Sequence, residues 1–288
     1  MINALRSSFL TVSINSLGAE ICSVKNTNGL EFIWQADAEI WARHAPVLFP
    51  IVGKLKDNSF IFENNTYELP QHGFARDLEF ELLEKNNSSC TFQLSSSGQS
   101  KKKYPFDFIF QINYRLDKNK LVTNYKIVNP ANKIIYFSVG AHPGFKCPLL
   151  PDETFEDYYL EFESSSYKKT ELRDGLLREE KKTFTVKDNK LFLSKHVFDN
   201  DALVFENSQV RSIRLCSSRS PHKIILTCND WPYFGIWSKK NCSNFVCLEP
   251  WFGIADTENS NQQLDQKKGI IKLEARKEFN CSFSVIFE

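Results

Sequence analysis

Two ionisable residues stand where buried-strand patterns stop, and both could transfer protons. His142 follows the apolar run "IIYFSVGA" (residues 134–141) and precedes a proline and a glycine. Glu249 ends the run "FVCL" (residues 245–248). A carboxylate placed so is costly to bury without a partner, so Glu249 either neutralises an arginine or acts as a base of raised pKa in a cleft. His142 by itself fits a hydrogen-bonded core residue as well as a catalyst, because burial depresses its basicity unless an acid lies nearby.

Two loops carry further polar side chains. In "LPQHGFARD" (residues 69–77), His72 precedes a glycine and Arg76 follows four residues later. Binding groups are often found on loops that a rigid scaffold holds in place, so His72 is a candidate binding residue. The alternative is that His72 is a surface histidine without a function. In "APVLFPIVGKLKDN" (residues 45–58), two prolines exclude an ordinary central strand. Lys54 and Lys56 there form either a solvated turn or a basic lip that faces an oxygen-rich ligand.

Aromatic side chains surround Glu249 in the sequence. Trp251 and Phe252 follow it closely, and Trp231 and Trp237 lie upstream. A flat aromatic ring presents a large apolar face at low conformational cost. These four residues are therefore candidates to pack against the C–H side of a sugar ring.

Composition excludes several kinds of partner. The 36 Lys and Arg residues nearly cancel the 35 Asp and Glu residues, so no global field attracts nucleic acid or an anionic membrane. The first residues lack the apolar core of a secretory signal, and no run reaches the ~18 apolar residues of a membrane span. A cytoplasmic location is expected, with neither export nor membrane insertion.

The eight cysteines are scattered, without a Cys-x-x-Cys pair or a histidine at zinc-ligand spacing. In a reducing compartment they are expected to be free thiols. Nothing in the sequence pairs a cysteine with an activating base. We therefore expect no metal site, no disulfide framework and no cysteine nucleophile.

The elements that must position these residues are predicted to be strands. Most apolar segments alternate with a period of two or form short buried runs, and several are joined by short polar turns. The only helix candidate, within residues 256–266, is weak. Strands without intervening helices indicate antiparallel sheets in a sandwich or barrel. No linker divides the chain, so one domain (residues 1–288) is expected, with the polar stretch 171–190 as an exposed hairpin or loop.

Six stretches together resemble the aldose 1-epimerase (galactose mutarotase) family, most closely its LacX-like branch. They occur in the family's order between about residue 40 and residue 256, and "LGAEICSV" and "FNCSFSVIF" fit the family's ends. Any one of them alone is a weak signal, whereas the ordered set is specific. The six stretches are "PVLFPIVGKLKD", "LPQHGFARDLEFEL", "YPFDFIFQINYRL", "VGAHPGF", "DALVF" and "VCLEPWFGIAD".

The resemblance implies a single large antiparallel β-sandwich with few or no helices, the supersandwich of galactose mutarotases, with an open cleft across one sheet. It also implies a glutamate that acts as general base and a histidine that acts as general acid. Glu249 matches the base and His142 the acid. His72 matches a second histidine, and Asp201 in "NDALVF" matches an aspartate, both of which bind or orient the sugar.

The sequence departs from the galactose enzymes at one place. Those enzymes carry a Gly-Arg-x-x-Asn-Arg segment before the second histidine, where this chain has the shorter "VGKLKDN". Lys54 or Lys56 is a candidate replacement, although a lysine offers a point charge where arginine offers a planar fork. Arg43 and Arg76 are the other candidates. The departure leaves the sugar specificity open rather than the reaction type.

The implied activity is that of an isomerase that interconverts the α and β anomers of a hexose by general acid/base ring opening. This chemistry needs no metal and no organic cofactor. His142 must be protonated to start it in one direction, and we expect a nearby carboxylate such as Asp201 to favour that charge. The sugar-binding residues are expected to be His72, Asp201, Arg76, Lys54 and Trp237.

Two alternatives remain open from the sequence. One is a hexose-6-phosphate mutarotase, because "GKLK" and "HGFAR" could together form an anion site. The other is a non-catalytic carbohydrate-binding protein on the same fold, since a fold does not fix a function. The expected partner is a small-molecule sugar, free or phosphorylated, and the expected assembly is a monomer or a weak homodimer.

Overall fold

The computed structural model describes residues 1–288, and nearly all of its regular elements are strands. The strands of the first half are β1 (Ile2–Arg6), β2 (Leu10–Asn15), β3 (Glu20–Asn26), β4 (Val47–Leu48), β5 (Ser59–Phe62), β6 (Asn65–Glu68), β7 (Glu81–Lys85), β8 (Ser89–Ser95), β9 (Ile109–Asp117), β10 (Lys120–Val128), β11 (Ile135–Phe137) and β12 (Val139–Ala141). Those of the second half are β13 (Gly144–Lys146), β14 (Tyr158–Phe162), β15 (Ser166–Arg173), β16 (Leu176–Thr185), β17 (Lys190–Phe192), β18 (Leu203–Glu206), β19 (Ser212–Ser217), β20 (Lys223–Thr227), β21 (Tyr233–Trp237), β22 (Phe245–Phe252), β23 (Ile271–Leu273) and β24 (Glu278–Phe287).

Two large antiparallel sheets form the body of the fold. One has nine strands in the order β17-β14-β19-β20-β24-β10-β9-β8-β7. The other has eight, in the order β16-β15-β18-β21-β22-β12-β4 with β13 also paired to β22. Smaller sheets are formed by β1-β2-β3, β5-β6 and β11-β23. This architecture confirms the predicted all-β antiparallel sandwich.

The main core lies between the two large sheets. Leu226 of β20 and Val285 of β24 share one buried cluster with Phe234 of β21 and Leu248 of β22. Because side chains alternate along a strand, the residues between these core positions point to the opposite face of the eight-stranded sheet. On β22 that opposite face carries Cys247, Glu249 and Trp251. The same strand therefore contributes to the core on one face and to the candidate site on the other.

Short hairpins connect the strands where the sequence predicts them. β5 and β6 are joined through Asn64, whose φ of 61° is the left-handed conformation that a tight turn requires. The polar stretch 171–190 forms the β15/β16 hairpin, whose tip is Asp174 and Gly175. The predicted hairpin is thus present, and its tip contributes to the cavity described below.

The helix candidate at residues 256–266 is wrong. The segment is irregular apart from a single 3₁₀ turn at Leu264–Gln266, and Gln262 has a φ of 62°, which a right-handed helix cannot accommodate. The other 3₁₀ turns are Lys56–Asn58, Ala75–Asp77 and Phe155–Asp157, and the α-helix is the four-residue Gly98–Lys101, which Ser97 caps. None of the helices has the length and apolar character needed to cross a lipid bilayer.

Candidate active site

His142 and Glu249 are cross-strand neighbours. β12 and β13 pair with β22 in one continuous register, in which Gly140 lies opposite Trp251 and Gly144 lies opposite Cys247. His142 occupies the break between β12 and β13 and so faces Glu249. Its Nε2 is 3.2 Å from Oε2 of Glu249. The interruption that the sequence shows after residue 141 therefore places an imidazole beside a carboxyl group.

A cavity of about 520 Å³ opens over this pair, on the face of the eight-stranded sheet that is turned away from the main core. Its volume is in the range of small-molecule sites, ~300–1,000 Å³. The residues predicted from sequence to form a site all line it, and the structure thereby brings together side chains from six separate parts of the chain. These residues are Lys54, His72, Arg76, His142, Asp201, Trp237 and Glu249.

Burial displaces the pKa values of the pair in opposite directions. His142 is 8% exposed and Glu249 is 1% exposed. Burial lowers the pKa of His142 far below its ordinary value, and burial raises the pKa of Glu249 well above its ordinary value. The nearby Trp251 indole lowers the pKa of Glu249 in part, although its N–H does not complete a hydrogen bond. When the pair holds a single proton, that proton is therefore on the carboxyl group rather than on the imidazole.

Asp201 acts on Glu249 rather than on His142. We expected its charge to favour a protonated imidazole, but its Oδ1 accepts the backbone N–H of Ala202 at 2.8 Å. Its charge instead adds to the rise in the pKa of Glu249. The expectation is not met because burial has the largest influence on the pKa of His142, whereas the charge of Asp201 influences the pKa of Glu249. Asp201 remains a lining residue whose carboxylate is exposed to a ligand.

His72 is held in a defined tautomer. Its Nδ1 accepts the backbone N–H of Gly53 at 3.1 Å, so the proton of the neutral ring is on Nε2. Burial lowers the pKa of His72 well below its ordinary value, and the neighbouring His142 lowers it further. Nε2 lies 3.3 Å from the side-chain amide of Gln71, and the His72 and His142 rings are 5.5 Å apart. His72 is thus a neutral hydrogen-bond donor at the cavity.

Two of the four candidate cations line the cavity. Lys54 donates to the backbone oxygen of Asp174 at 3.0 Å, across the cavity mouth. Arg76 donates to the backbone oxygen of Gln71 at 2.7 Å. Burial, with a smaller effect from the charge of Arg43, lowers the pKa of Arg76 to about 10, so it stays charged at neutral pH.

The other two candidate cations point elsewhere. Arg43 pairs with Asp77 at 2.7 Å, and the Lys56 ammonium donates to the backbone oxygen of Ser260 at 3.2 Å. Neither residue is part of the cavity wall. Of the four cations considered from sequence, only Lys54 and Arg76 are therefore placed to take the position of the family arginine.

Aromatic rings enclose His142 on two sides. The Trp41 ring lies 5.0 Å from the imidazole at an interplanar angle of 31°, and the Trp237 ring lies 5.6 Å away at 76°. Trp251 also lines the cavity, wedged against two glycines: a Cβ at Gly235 would come within 2.3 Å of its ring, and one at Gly140 within 2.7 Å. Side chains at these two positions would expel the indole.

Two of the aromatic residues considered for sugar contact are core residues instead. Trp231 is 1% exposed and donates its indole N–H to the backbone oxygen of Ser282 at 2.7 Å. Phe252 packs against Trp231 with ring centroids 4.8 Å apart. The interpretation of both as sugar-facing is wrong: Trp231, which precedes β21, belongs to the main core, and Phe252 lies on the same core-facing side of β22 as Leu248.

A buried ion pair supports the cavity wall. Lys267 lies 3.0 Å from Asp256, and both side chains are almost fully buried. The other oxygen of Asp256 accepts the backbone N–H of Lys56, and the backbone N–H of Asp256 donates to the carbonyl of Lys54. Lys267 also donates to the carbonyl of Ile254. The pair thus ties the loop that carries Lys54 to the segment that follows β22.

Sequence reasoning missed several lining residues, and three of them, Trp41, Asp174 and Gln71, show why. Trp41 lies in an irregular stretch without a motif, and Asp174 sits at a hairpin tip whose position in space no local pattern gives. Gln71 precedes His72 in the stretch "LPQHGFARD", and this adjacency to a candidate site residue could have identified it. None of the three lies in regular buried alternation, which is the pattern that sequence reasoning detects best.

The structure also brings together side chains that could hold a metal ion. The ligand atoms of His142, Cys247 and Glu249 all lie within 4.8 Å of one another, and all three residues are buried. Their sequence spacing gives no metal signature, because the histidine lies far along the chain from the two residues of β22. No such site was expected from the cysteine pattern.

Comparison with known proteins shows the family to which the chain belongs. Residues 2–267 match the sequence family described as aldose 1-epimerase. The chromosomally encoded protein LacX of Lactococcus lactis subsp. lactis is 34% identical over 279 residues, which is 93% of this chain and 93% of that protein.

Solved structures show the same relationship. A galactose mutarotase related enzyme from Lactobacillus acidophilus has a TM-score of 0.96 and 38% identity, covering 100% of this chain and 97% of its own. A galactose mutarotase-like protein from Lactobacillus casei has a TM-score of 0.91 and 29% identity, with 100% of both chains covered. With a match to the family along most of its length and relatives of this identity, the chain belongs to the aldose 1-epimerase family.

Proposed function

We propose that the protein interconverts the α and β anomers of a hexose, with Glu249 as general base and His142 as general acid. The observation that carries this proposal is the buried contact of 3.2 Å between the two groups on the floor of a sugar-sized cavity. Family membership supports the reaction type. The eight cysteines, all free thiols, suit a reducing compartment, and we place the activity in the cytoplasm.

The chemistry needs one proton to be removed and one to be supplied. The base takes the proton of the anomeric hydroxyl while the acid protonates the ring oxygen, which opens the hemiacetal. Rotation about C1–C2 and reversal of the two transfers then give the other anomer. A pair that holds a single proton is sufficient, because the reaction consumes and releases none. Burial favours the neutral arrangement of the pair, and hydrogen bonds from sugar hydroxyls to the Glu249 carboxylate would favour the ionised one.

The remaining lining residues can bind the sugar. Trp237 and Trp251 offer apolar faces to ring carbons, and His72 offers an N–H donor. Lys54 is a further donor at the mouth, where Asp201 is an acceptor. This combination of aromatic faces with donors and acceptors of both charges suits a polyhydroxylated ligand without net charge.

We expect a free hexose to be the better substrate than its 6-phosphate. The cavity cations Lys54 and Arg76 already bond backbone oxygens, and Asp174 and Asp201 balance their charge. A phosphate dianion in the cavity would therefore find no cation free to pair with it. If this makes binding of the phosphorylated transition state only ~1.4 kcal/mol less favourable than that of the free hexose, kcat/KM falls tenfold. Exchange-transfer NMR between anomers of glucose, galactose and their 6-phosphates, with and without protein, measures this directly.

The same experiment separates the alternatives. Faster exchange of the 6-phosphates would identify an anion site and replace the free hexose as substrate. Sugar binding without acceleration over the spontaneous rate would identify a non-catalytic binding protein. Acceleration of free-hexose exchange by at least about tenfold over the 6-phosphate supports the proposal.

The pH profile of catalysis is expected to be broad. A histidine and a glutamate with ordinary pKa values of 6.5 and 4.5 would share a single proton only between those values. Here the pKa of His142 is lowered to about 3, so the acid limit of the one-proton state moves below pH 4.5, and the raised pKa of Glu249 sets its alkaline limit. As pH falls, activity is lost when both groups are protonated, and as pH rises it is lost when both are deprotonated.

The profile is measured as kcat/KM for anomer exchange after the spontaneous rate at each pH is subtracted. Far-UV circular dichroism at each pH controls for unfolding. A narrow bell confined between pH 4.5 and 6.5 would mean that the two groups titrate as exposed residues do, which contradicts the buried pair.

A further inference from the structure

We propose that His142, Cys247 and Glu249 form a binding site for a thiophilic divalent cation, with Zn²⁺ as the reference ion, and that its occupation blocks the proposed acid/base pair. The three ligand atoms lie within 4.8 Å of one another. Their residues are 8%, 0% and 1% exposed, respectively. Nitrogen, sulfur and carboxylate oxygen are the ligand types that zinc takes in proteins.

The sheet itself brings these atoms together. Cys247 and Glu249 are two residues apart on β22, so their side chains share the face that is turned away from the main core. His142 faces the same strand from the break between β12 and β13. Cys247 packs with Phe245 and Trp34 in a small cluster beneath the cavity, and it is not part of the cavity wall. It has no part in the proposed sugar reaction.

The distances suit a tetrahedral ion after a small adjustment. Bonds of about 2.0–2.3 Å place the ligand atoms of a tetrahedral zinc roughly 3.3–3.8 Å apart. The Nε2–Oε2 distance of 3.2 Å already has nearly this value. Oε2 of Glu249 is buried and has no hydrogen-bond partner, which leaves a lone pair for an ion. Because His142 and Glu249 line the cavity, the fourth coordination position opens toward it.

The charge balance also favours a divalent ion. Binding displaces the thiol proton of Cys247 and the proton held on Glu249, and both protons go to solvent. A dication with one thiolate and one carboxylate is neutral overall, so the occupied site carries no uncompensated buried charge. Mg²⁺ and Ca²⁺ prefer all-oxygen ligands and are expected to bind poorly at a site with sulfur and nitrogen.

Occupation would remove both proton-transfer groups at once. His142 would lose its free Nε2, and Glu249 would lose its basic oxygen to the ion. The inhibition rests on the proposed function, whereas the binding of the ion does not. The two parts can therefore be tested separately.

The binding test uses Co²⁺, whose bond to a thiolate gives a ligand-to-metal charge-transfer band. Wild-type protein is titrated with Co²⁺ and then with Zn²⁺, alongside Cys247→Ala and the matched control Cys242→Ala. Cys242 is a second buried cysteine of the same cluster, outside the three-ligand group. We expect the band in wild type and control, its displacement by Zn²⁺, and at least about 100-fold weaker binding by Cys247→Ala.

The inhibition test follows anomer exchange of glucose. We expect Zn²⁺ to abolish exchange by wild type, a chelator to restore it, and Mg²⁺ to leave it unchanged. Cys247→Ala is expected to retain basal exchange and to lose the sensitivity to Zn²⁺. If Cys247→Ala fails to fold, Cys247→Ser is the second variant, because a hydroxyl keeps the volume and is a poor ligand for a thiophilic ion.

The outcomes are distinguishable. A Co²⁺ band or a Zn²⁺ sensitivity that is unchanged in the Cys247 variants would overturn the site. Loss of the band in Cys242→Ala but not in Cys247→Ala would assign the metal to another thiol and would also overturn it. A Cys247-dependent band in a protein that accelerates no exchange would confirm the metal site and refute the epimerase proposal instead.

Discussion

Glu249→Gln and His142→Asn are each expected to lower protein-catalysed anomer exchange by about 10²–10⁴-fold, the usual contribution of a positioned proton-transfer group. Glutamine has nearly the shape of glutamate, and asparagine replaces the imidazole by a smaller polar amide; neither can exchange a proton as the original group does. Both substitutions also remove a group that burial destabilises in its charged form, so neither should reduce stability strongly. Exchange-transfer NMR on a free hexose measures the rates.

Matched controls come from exposed residues of the same types. Glu39→Gln and His196→Asn alter a carboxyl and an imidazole away from the cavity and should leave exchange unchanged. Circular dichroism establishes that each variant is folded. Were Glu249→Gln or His142→Asn folded and still as fast as these controls, the assignment of base and acid would be lost.

Lys267→Met is expected to lower the free energy of unfolding by about 3–5 kcal/mol, because it leaves the Asp256 carboxylate buried without its partner. The pair is 3.0 Å apart, with side chains 2% and 3% exposed. Denaturant unfolding followed by circular dichroism measures the loss. Since Asp256 also fixes the backbone at Lys54 and Lys56, we expect the sugar KM to rise in any fraction that remains folded.

Two further variants test the cause. Lys272→Met removes an exposed pair, 54% and 60% exposed, and should cost no more than about 1 kcal/mol. Lys267→Met combined with Asp256→Leu removes both buried charges and should recover much of the stability lost in the single variant. If Lys267→Met cost no more than Lys272→Met, the buried pair would contribute nothing to the fold.

Much of the fold follows from local pattern. Period-two alternation in β9 and β10 and the turn at Asn64 are sufficient to predict antiparallel strands, because burial of one sheet face acts on every second residue. The order in which the strands pair is a long-range property, and only the family resemblance gave it. The error at residues 256–266 has a local cause, since the polar composition suited a helix end while Gln262 takes a left-handed conformation.

The candidate site was predictable where a motif marked it. Breaks in strand pattern identified His142 and Glu249, and the loop motif identified His72. The identity of their contacts was not predictable: Asp201 acts on the carboxyl rather than on the imidazole, and Trp231 faces the core. Trp41 and Cys247 matter only through contacts with residues far away in the chain, such as the contact of Trp41 with His142, and sequence periodicity carries no information over such distances.

The shared register of β12 and β13 on β22 has a consequence for how such proteins diverge. Backbone hydrogen bonds between paired strands fix the spacing of His142 and Glu249. In contrast, Lys54, Arg76 and Asp174 lie in loops and at a hairpin tip. Loops accept insertions and exchanges that a paired strand does not. Remodelling of the rim is therefore expected to change which ligand the cavity accepts while the spacing of His142 and Glu249 stays the same.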